Sequence, residues 1–283
     1  LRDICIKECG LGFARPIIVG VSGGADSVCL LLALADLGYP VVVAHFDHRL
    51  REQSAQDARM VETLAQTLNL PFALGSADVA ALARDLRMSV EEAARKARYG
   101  FLFEQARQRG AQAVAVGHTA DDQVETVLMH LLRGAGLSGL KGMTFRALHV
   151  DWDASIPVVR PLLNMRHTET LACCEERRIS PVQDASTADT TYFRNRLRHE
   201  LLPILEGYNP QVRESLLRTA RTLAGDFEVL ESATDAAWDA CGAQTGAGFV
   251  RLLLPAYRAL LRGAQRRVLR KAVAQLRPDL RDV

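Results

Sequence analysis

The chain has 283 residues, of which 48% are hydrophobic and 24% charged, and its net charge at pH 7 is +2. This composition is ordinary for a globular protein and argues against a disordered or collagen-like chain. The sequence has no run of 18 apolar residues and no N-terminal secretory pattern. We therefore expect a cytoplasmic protein with no membrane partner.

The cysteines and arginines indicate the redox state of the thiols and the kind of partner the protein could bind. The cysteines are Cys5, Cys9, Cys29, Cys173, Cys174 and Cys241. No two of them have the C-x-x-C spacing of a zinc or redox motif, so we expect reduced thiols. Nearly all the basic residues are arginines. Arginine is well suited to bind phosphate in a bidentate manner, which is compatible with a nucleic-acid partner, but the bias could equally reflect genomic base composition.

A short buried strand followed by a glycine-rich turn opens the main domain. Residues 17–21 are apolar or glycine, and a helix is predicted from Ser27 to Leu37. The turn that joins them contains Ser22, Gly23, Gly24, Ala25, Asp26 and Ser27. Backbone N–H groups and the positive end of a helix dipole make such a turn a phosphate site. Neither the P-loop pattern nor the dinucleotide fingerprint is present, and a simple Gly-Gly turn is the structural alternative.

Strands and helices then alternate along the chain. Strands are predicted at 40–46, 71–74, 113–117 and 156–160, and helices at 52–68, 89–108 and 121–132. Ser89 and Glu92 have the spacing of a helix capping box. Pro157 predicts that the last strand lies at an edge. The alternation predicts an α/β fold with a doubly wound, parallel, five-stranded sheet covered by helices on both faces.

The part of the chain after Pro161 reads as helical. Helices are predicted at 166–178, 196–205, 212–230, 233–240 and 256–276, with a loop at 180–195 and a flexible break at 242–248. Turn-forming residues cluster at 207–210. We therefore predict a catalytic domain over 1–206 and a smaller, all-helical domain over 207–283.

Polar clusters follow the first, second and fourth strands, at residues 22–27, 45–51 and 118–125. Ligands of parallel sheets bind beyond the carboxyl ends of the strands, so these clusters should share one rim. The second contains His45, His48, Asp47, Arg49 and Arg51. Because it has no cysteine and no third spaced histidine, we interpret it as a nucleotide or phosphate contact rather than a metal site.

The third cluster pairs two carboxylates on one helix. Asp122 and Glu125 are three residues apart and therefore lie on the same helix face. Together they could hold a cation, either Mg²⁺ or the ammonium group of an amino acid. The structural alternative is that acidic residues here complement the helix dipole, which accounts for Asp121 but poorly for His118 and Glu125.

Three motifs in order resemble those of a known family. S-G-G-x-D-S at 22–27 resembles the pyrophosphate loop of ATP-pyrophosphatases, also called PP-loop proteins. Together with H-F-D-H-R-L-R at 45–51 and G-H-T-A-D-D-Q-V-E-T at 117–126, the chain is similar to tRNA(Ile)-lysidine synthetases. Further matches lie at 91–99, 131–140, 160–163 and 195–203. One departure is Thr187, where the family usually has asparagine.

The resemblance implies a function and a set of site residues. Members of the family use ATP and lysine to convert the wobble cytidine of tRNA(Ile) with a CAU anticodon to lysidine, through an adenylated base. Residues 22–27 would hold the pyrophosphate of ATP, with His45 and Gly117 as further ATP contacts and Asp26 as the Mg²⁺ ligand. Free lysine would bind Asp122 and Glu125.

The resemblance also assigns roles to basic residues. His118, Arg95 and Arg98 would act with Asp122 in catalysis, stabilising charge on the phosphates or on the adenylated base. Arg194, Arg196 and Arg198 would contact tRNA or nucleotide phosphate, and their alternative is ordinary surface charge on a helix. The arginine-rich region 207–283 is expected to contact the tRNA.

Other functions remain open at this stage. A tRNA thiolase would use the same ATP loop, but such enzymes commonly carry sulfur on paired cysteines or an iron–sulfur cluster, and the adjacent Cys173 and Cys174 are poor cluster ligands. Adenylating amidotransfer-type synthetases share only the first loop. A tRNA-binding protein without activity would not need the acidic and histidine residues at the rim.

Overall fold

The computed structural model describes residues 1–50, 54–182 and 193–277. It contains two compact units, one formed by residues 1–134 with 142–217 and the other by residues 135–141 with those from 218 onward. The proposed division at residue 207 into a catalytic and a tRNA-contacting domain remains a prediction. Within the described residues, no helix combines the length and apolar character that a membrane span requires.

The regular elements largely follow the predicted order. They are β1 (Ile17–Gly20), α1 (Ala25–Asp36), β2 (Val41–Asp47), α2 (Ser54–Thr67), β3 (Phe72–Ser76), α3 (Val79–Leu86), α4 (Val90–Gln108), β4 (Ala113–Val116), α5 (Ala120–Leu132), α6 (Leu137–Leu140), β5 (Arg146–His149), β6 (Asp153–Val159), α7 (His167–Glu176), α8 (Phe193–Arg196), α9 (Leu202–Tyr208), α10 (Val212–Ala240), β7 (Gln244–Gly246), β8 (Phe249–Arg251), α11 (Leu254–Ala259) and α12 (Arg262–Leu276). Short π-helical turns lie at Ile4–Glu8 and Leu197–Leu201. At the start of α4 the Ser89 side chain accepts a hydrogen bond from the Glu92 backbone N–H, as the capping pattern predicts.

The main sheet has the strand order β3-β2-β1-β4-β6-β5. β1 pairs in parallel with both β2 and β4, so the order of the chain reverses between these strands. Such a switch point is where ligands bind in open parallel sheets. The predicted parallel sheet is confirmed, and it places the ends of β1, β2 and β4 side by side.

The sheet has six strands, because β5 joins the five predicted ones as an antiparallel partner of β6. The prediction that Pro157 marks an edge is therefore wrong, since β6 lies between β4 and β5. The pairing of β5 with β6 is irregular between Ala147 and His149. An irregular pairing of this kind accommodates a residue that cannot donate to the ladder.

Burial on both sheet faces explains the continuous apolar strands. Ile17 and Val19 of β1 pack in the cluster that includes α1 and α2, whereas Ile18 packs on the other face with Tyr99 and Phe103 of α4. Successive side chains of a strand point to opposite faces, so a strand covered on both sides must be apolar at every position. This arrangement fixes α1 and α4 on opposite faces of the sheet.

The second unit is not wholly helical, contrary to prediction. The predicted flexible break at 242–248 contains β7, which pairs antiparallel with β8 directly after it. The helices predicted at 212–230 and 233–240 are a single helix, α10. Trp238 of α10 packs with Val268 and Ala272 of α12 in this unit's own buried cluster.

Candidate functional site

The phosphate loop between β1 and α1 is held closed by the side chain of Ser27. Its Oγ accepts a hydrogen bond from the Ser22 backbone N–H at 3.1 Å and donates to the Gly24 carbonyl at 2.9 Å. Gly23 has φ of +92°, a conformation that side chains disfavour. The loop thus leads tightly into the first turn of α1, whose N–H groups lack partners within the helix. This geometry suits an anion, as the sequence predicts.

Gly117 brings the end of β4 against this loop. A Cβ at residue 117 would lie 2.9 Å from the backbone C and O atoms of Asp26 and from the backbone N of Ser27. Backbone atoms cannot rotate away as a flexible side chain can. Gly117 therefore contacts the phosphate loop through main chain, which explains why glycine is needed there.

His45 supports the loop from the neighbouring strand. It is 5% exposed, and its Nδ1 donates a hydrogen bond of 2.8 Å to the carbonyl of Val21, the residue before the loop. The contact with ATP predicted for His45 stays a prediction.

Asp26 is held by two residues of α7 that the sequence analysis missed. Its Oδ1 lies 2.8 Å from Nδ1 of His167 and also accepts from the hydroxyl of Thr170. The His167 backbone N–H donates to Asp121 of α5 at 2.8 Å. The start of α7 therefore connects the phosphate loop to α5. No local pattern could reveal this contact, because residues 26 and 167 are 141 positions apart.

The described residues contain no group of three or more His, Cys, Asp or Glu side chains arranged to hold a metal ion. Mg²⁺ usually binds one or two carboxylates together with the phosphates of a nucleotide. A single carboxylate, Asp26, beside a phosphate loop fits that mode of binding and does not form an all-protein metal cage.

His118 lies among arginines on one side of the rim. Arg160, which follows β6, donates from Nε to Nδ1 of His118 at 3.2 Å. Burial lowers the pKa of His118 far below its ordinary value, and Arg160, Arg98, Arg194 and Arg95 lower it further. The buried Nε of Arg98 has no hydrogen-bond partner among the described residues. An orphaned guanidinium donor of this kind fits a phosphate ligand.

Arg95 and Arg98 both lie against the ring of Tyr99 on α4. Their guanidinium carbons are 4.8 and 5.4 Å from the ring centroid. Burial also lowers the pKa of Arg98. Both arginines predicted for catalysis lower the pKa of His118, and the structure adds Arg160 as its hydrogen-bond partner. The sequence analysis placed Arg160 at the end of a predicted strand and within the matching segment 160–163, but gave it no role.

The two predicted lysine-binding carboxylates have different surroundings. The Oδ2 atom of Asp122 accepts from the backbone N–H of Thr119 at 2.9 Å and completes a capping box at the start of α5. Glu125 is 1% exposed, and its Oε1 accepts from Nε of Arg198 at 2.6 Å. Its Oε2 lies 3.3 Å from Nε of Arg194. Burial raises the pKa of Glu125, although both arginines act in the opposite direction.

The three arginines predicted to contact phosphate do not share one environment. Arg194 and Arg198 turn toward α5, where Arg194 also donates to the Thr126 hydroxyl at 3.0 Å. Arg196 is exposed and lies 3.6 Å from Glu200 one helical turn later. Their predicted contacts with phosphate or tRNA stay predictions. Arg51 and Thr187 lie outside the described residues.

Comparison with known proteins places the chain in a family. A family model described as a PP-loop domain matches residues 7–205. A tRNA(Ile)-lysidine synthase from Geobacter sulfurreducens is 42% identical over 276 residues, covering 95% of this chain and 57% of that protein. Another from Gloeobacter violaceus is 40% identical over 240 residues, covering 81% of this chain and 70% of that protein.

The chain spans about half the length of several relatives, with 57% of the Geobacter protein and 50% of one from Dehalococcoides mccartyi covered. Among solved structures, the U34-tRNA thiolase NcsA from Methanococcus maripaludis aligns with a TM-score of 0.62 over 78% of this chain and 76% of its own. Its sequence identity is 16%, so this likeness concerns the fold alone.

Replacing Gly117 tests the close approach of β4 to the phosphate loop. We expect Gly117→Ala to weaken nucleotide binding at least tenfold and to lower the free energy of unfolding by about 1–3 kcal/mol, since the new methyl group meets backbone. Gly100→Ala in α4 is the matched control, because its Cβ would meet only a Trp152 ring atom at 3.9 Å. Urea unfolding and ATP titration measure both. Equal effects of the two changes would contradict the assignment.

Removing Glu125 tests the buried ion pair. We expect Glu125→Ala to destabilise the fold by about 3–5 kcal/mol, because it leaves Arg198 and Arg194 without their carboxylate. The control is Glu200→Ala, which removes an exposed pair and should cost less than about 1 kcal/mol. Urea unfolding midpoints of the two variants decide the matter. Similar midpoints would show that the buried ion pairs of Glu125 do not stabilise the fold more than an exposed pair does.

Proposed function

Because the chain belongs to the PP-loop family and, within it, to the tRNA(Ile)-lysidine synthases, we propose that it joins lysine to the wobble cytidine of tRNA(Ile) with a CAU anticodon. The observation that carries the proposal is the rim itself. The phosphate loop, His118 with its arginines, and the acidic start of α5 follow β1 and β4, which pair side by side.

The reaction has two steps. The C2 oxygen of cytosine attacks the α-phosphate of ATP, and the bond to the β-phosphate breaks to release pyrophosphate. The ε-amine of lysine then attacks C2 of the adenylated base, loses a proton and expels AMP. Adenylation is needed because a carbonyl oxygen is otherwise a very poor leaving group.

The phosphate loop would hold the pyrophosphate part of ATP. Backbone N–H groups of residues 22–27 and the start of α1 supply donors without any cation of their own. Mg²⁺ would bind Asp26 together with the phosphates and neutralise part of their charge. Arg98 and His118 would donate to oxygens whose charge grows as the bond to pyrophosphate breaks.

Asp122 is the better placed of the two acids to receive lysine. It is half-buried at the first turn of α5, whereas Glu125 is 1% exposed and bound to Arg198. A carboxylate there can pair with the ammonium group and accept the proton that lysine must lose before it attacks. Glu125 would contribute to lysine binding through its negative charge and by fixing Arg198.

Transfer RNA would be bound by arginines outside this pocket. Arg196 is exposed, and the region from residue 207 is arginine-rich. Contacts of this kind bind phosphate without reading sequence, so they would orient the tRNA and leave the choice of anticodon to other residues.

The direct test is incubation of the protein with ATP, lysine and a tRNA(Ile) transcript bearing CAU. We expect labelled lysine to enter the tRNA with stoichiometric release of AMP and pyrophosphate. A transcript with a different wobble base is the control and should remain unlabelled. Incorporation of sulfur from a sulfide donor would instead indicate a tRNA thiolase, and absence of ATP turnover would overturn both enzyme functions.

Asp122→Asn separates the chemistry from the fold. Asparagine can still accept the hydrogen bond from Thr119 that caps α5, so only the charge changes. We expect the KM for lysine to rise at least tenfold while the affinity for tRNA changes less than twofold.

Asp121→Asn is the comparison variant, because Asp121 pairs with Arg213 and with the start of α7. It should weaken the fold without raising the KM for lysine. Parallel loss of tRNA affinity in Asp122→Asn would count against the role assigned to Asp122.

A further inference from the structure

Arg160 is a buried arginine that faces the site but cannot itself be an exposed phosphate contact. Its side chain is 4% exposed, and its backbone N–H donates to the Phe145 carbonyl at 2.8 Å. The guanidinium group donates from Nη1 to the Thr144 carbonyl at 3.0 Å and from Nε to Nδ1 of His118 at 3.2 Å. Two nitrogens of the planar guanidinium group are thus fixed, Nη1 by a backbone carbonyl and Nε by His118.

The chemistry of this contact determines where the proton of His118 lies. A guanidinium group has only donors and stays charged at all ordinary pH values. Nδ1 of His118 must therefore present its lone pair, so the ring hydrogen of the neutral form is on Nε2. A protonated imidazole would place an N–H group against an N–H group, which is unfavourable.

The surroundings of His118 act in the same direction. The charged groups that act on it most strongly are Arg160 beside β6, Arg98 and Arg95 on α4, and Arg194 on α8. Burial, followed by these four positive charges, lowers the pKa of His118. The histidine is therefore neutral at physiological pH for two reasons, its hydrogen bond and its electrostatic environment.

We infer that Arg160 is a positioning residue that holds His118 as the neutral tautomer with hydrogen on Nε2, so that His118 serves the reaction as a hydrogen-bond donor. This inference rests on the proposed function for the identity of the acceptor, an oxygen of the reacting phosphate or of the adenylated base. The proton that lysine loses must then go to the acidic start of α5, because the lone pair on Nδ1 of His118 already accepts a hydrogen bond from Arg160.

The positive charge around His118 favours a neutral hydrogen-bond donor over a charged one. Four arginines already act on His118, and a fifth positive charge on its ring would be repelled by them. A neutral N–H group still stabilises an oxyanion in a site shielded from water, and it does not have to lose its own hydration shell as a cation does.

Nitrogen NMR of histidine-labelled protein tests the inference without relying on activity. Two-bond ¹⁵N–¹H correlations distinguish the Nε2–H tautomer, the Nδ1–H tautomer and the imidazolium form, and the spectrum of His118→Asn identifies the signal. We expect His118 to show the neutral Nε2–H pattern down to about pH 5.5, where an unperturbed histidine is about 90% protonated. An Nδ1–H pattern, or a titration midpoint near 6.5, would overturn the inference.

Arg160→Gln tests whether Arg160 is the cause. We expect the pKa of His118 to rise but to stay below that of a free histidine, because burial, Arg98, Arg194 and Arg95 still act on it. The Nδ1–H tautomer should become populated once the guanidinium no longer holds Nδ1 as an acceptor, and kcat should fall about 10- to 100-fold, the loss seen when an outer partner that orients a metal-bound histidine is removed. The KM for lysine should change less than threefold. Arg146→Gln is the matched control, because Arg146 lies on the adjacent strand and donates to the Cys9 carbonyl instead.

The outcomes separate this inference from the proposed function. Lysidine formation with a protonated His118 would overturn only the inference. A neutral Nε2–H signal in a protein that makes no lysidine would overturn only the proposed function. If Arg160→Gln does not fold, the wild-type spectrum still decides the tautomer. A folded Arg160→Gln protein with an unchanged His118 signal would rule out Arg160 as its cause.

Discussion

The site depends on the direct contact of two backbone segments, the phosphate loop after β1 and the turn after β4. A Cβ on residue 117 would lie 2.9 Å from the backbone of Asp26 and Ser27. The pairing of β1 with β4 brings the segments together, and glycine at 117 lets them touch. His118 and the start of α5, which follow residue 117 directly, are thereby held close to the loop. A side chain at this one position would separate the two halves of the site.

Most of the buried charge at this site is positive, and Glu125 is the buried carboxylate that balances part of it. Arginines dominate one side, and the buried Glu125 is paired with Arg198 and Arg194 from a segment about 70 positions later, with separations of 73 and 69 residues. Desolvation of such a pair costs much of what attraction contributes, which agrees with the raised pKa of Glu125. The clearest consequence of these ion pairs is structural, because they join α5 to the helical segment around Leu197. His118 escapes the same cost by remaining neutral.

The elements predicted correctly are those with strong local signals. Apolar runs marked the five parallel strands, and Ser89 marked the start of α4. The failures have physical reasons. β5 has alternating exposure and a short length, so it lacks the apolar run that revealed the other strands. The strand that contains Pro157 was wrongly predicted at an edge, because proline is tolerated both at an edge and at an irregular pairing inside a sheet. The pair β7–β8 was missed because its strands are only three residues long.

The sequence by itself determined the fold class, the phosphate loop, the rim and the family, because each depends on short motifs whose residues are close in the chain. Only the tertiary structure decided which side chains act together. The contacts Arg160–His118, His167–Asp26 and Arg198–Glu125 join residues 42, 141 and 73 positions apart. Such pairs leave no local pattern, since a hydrogen bond requires two groups within about 3 Å and not any particular spacing in sequence. The protonation state of His118 is therefore a property of the folded protein.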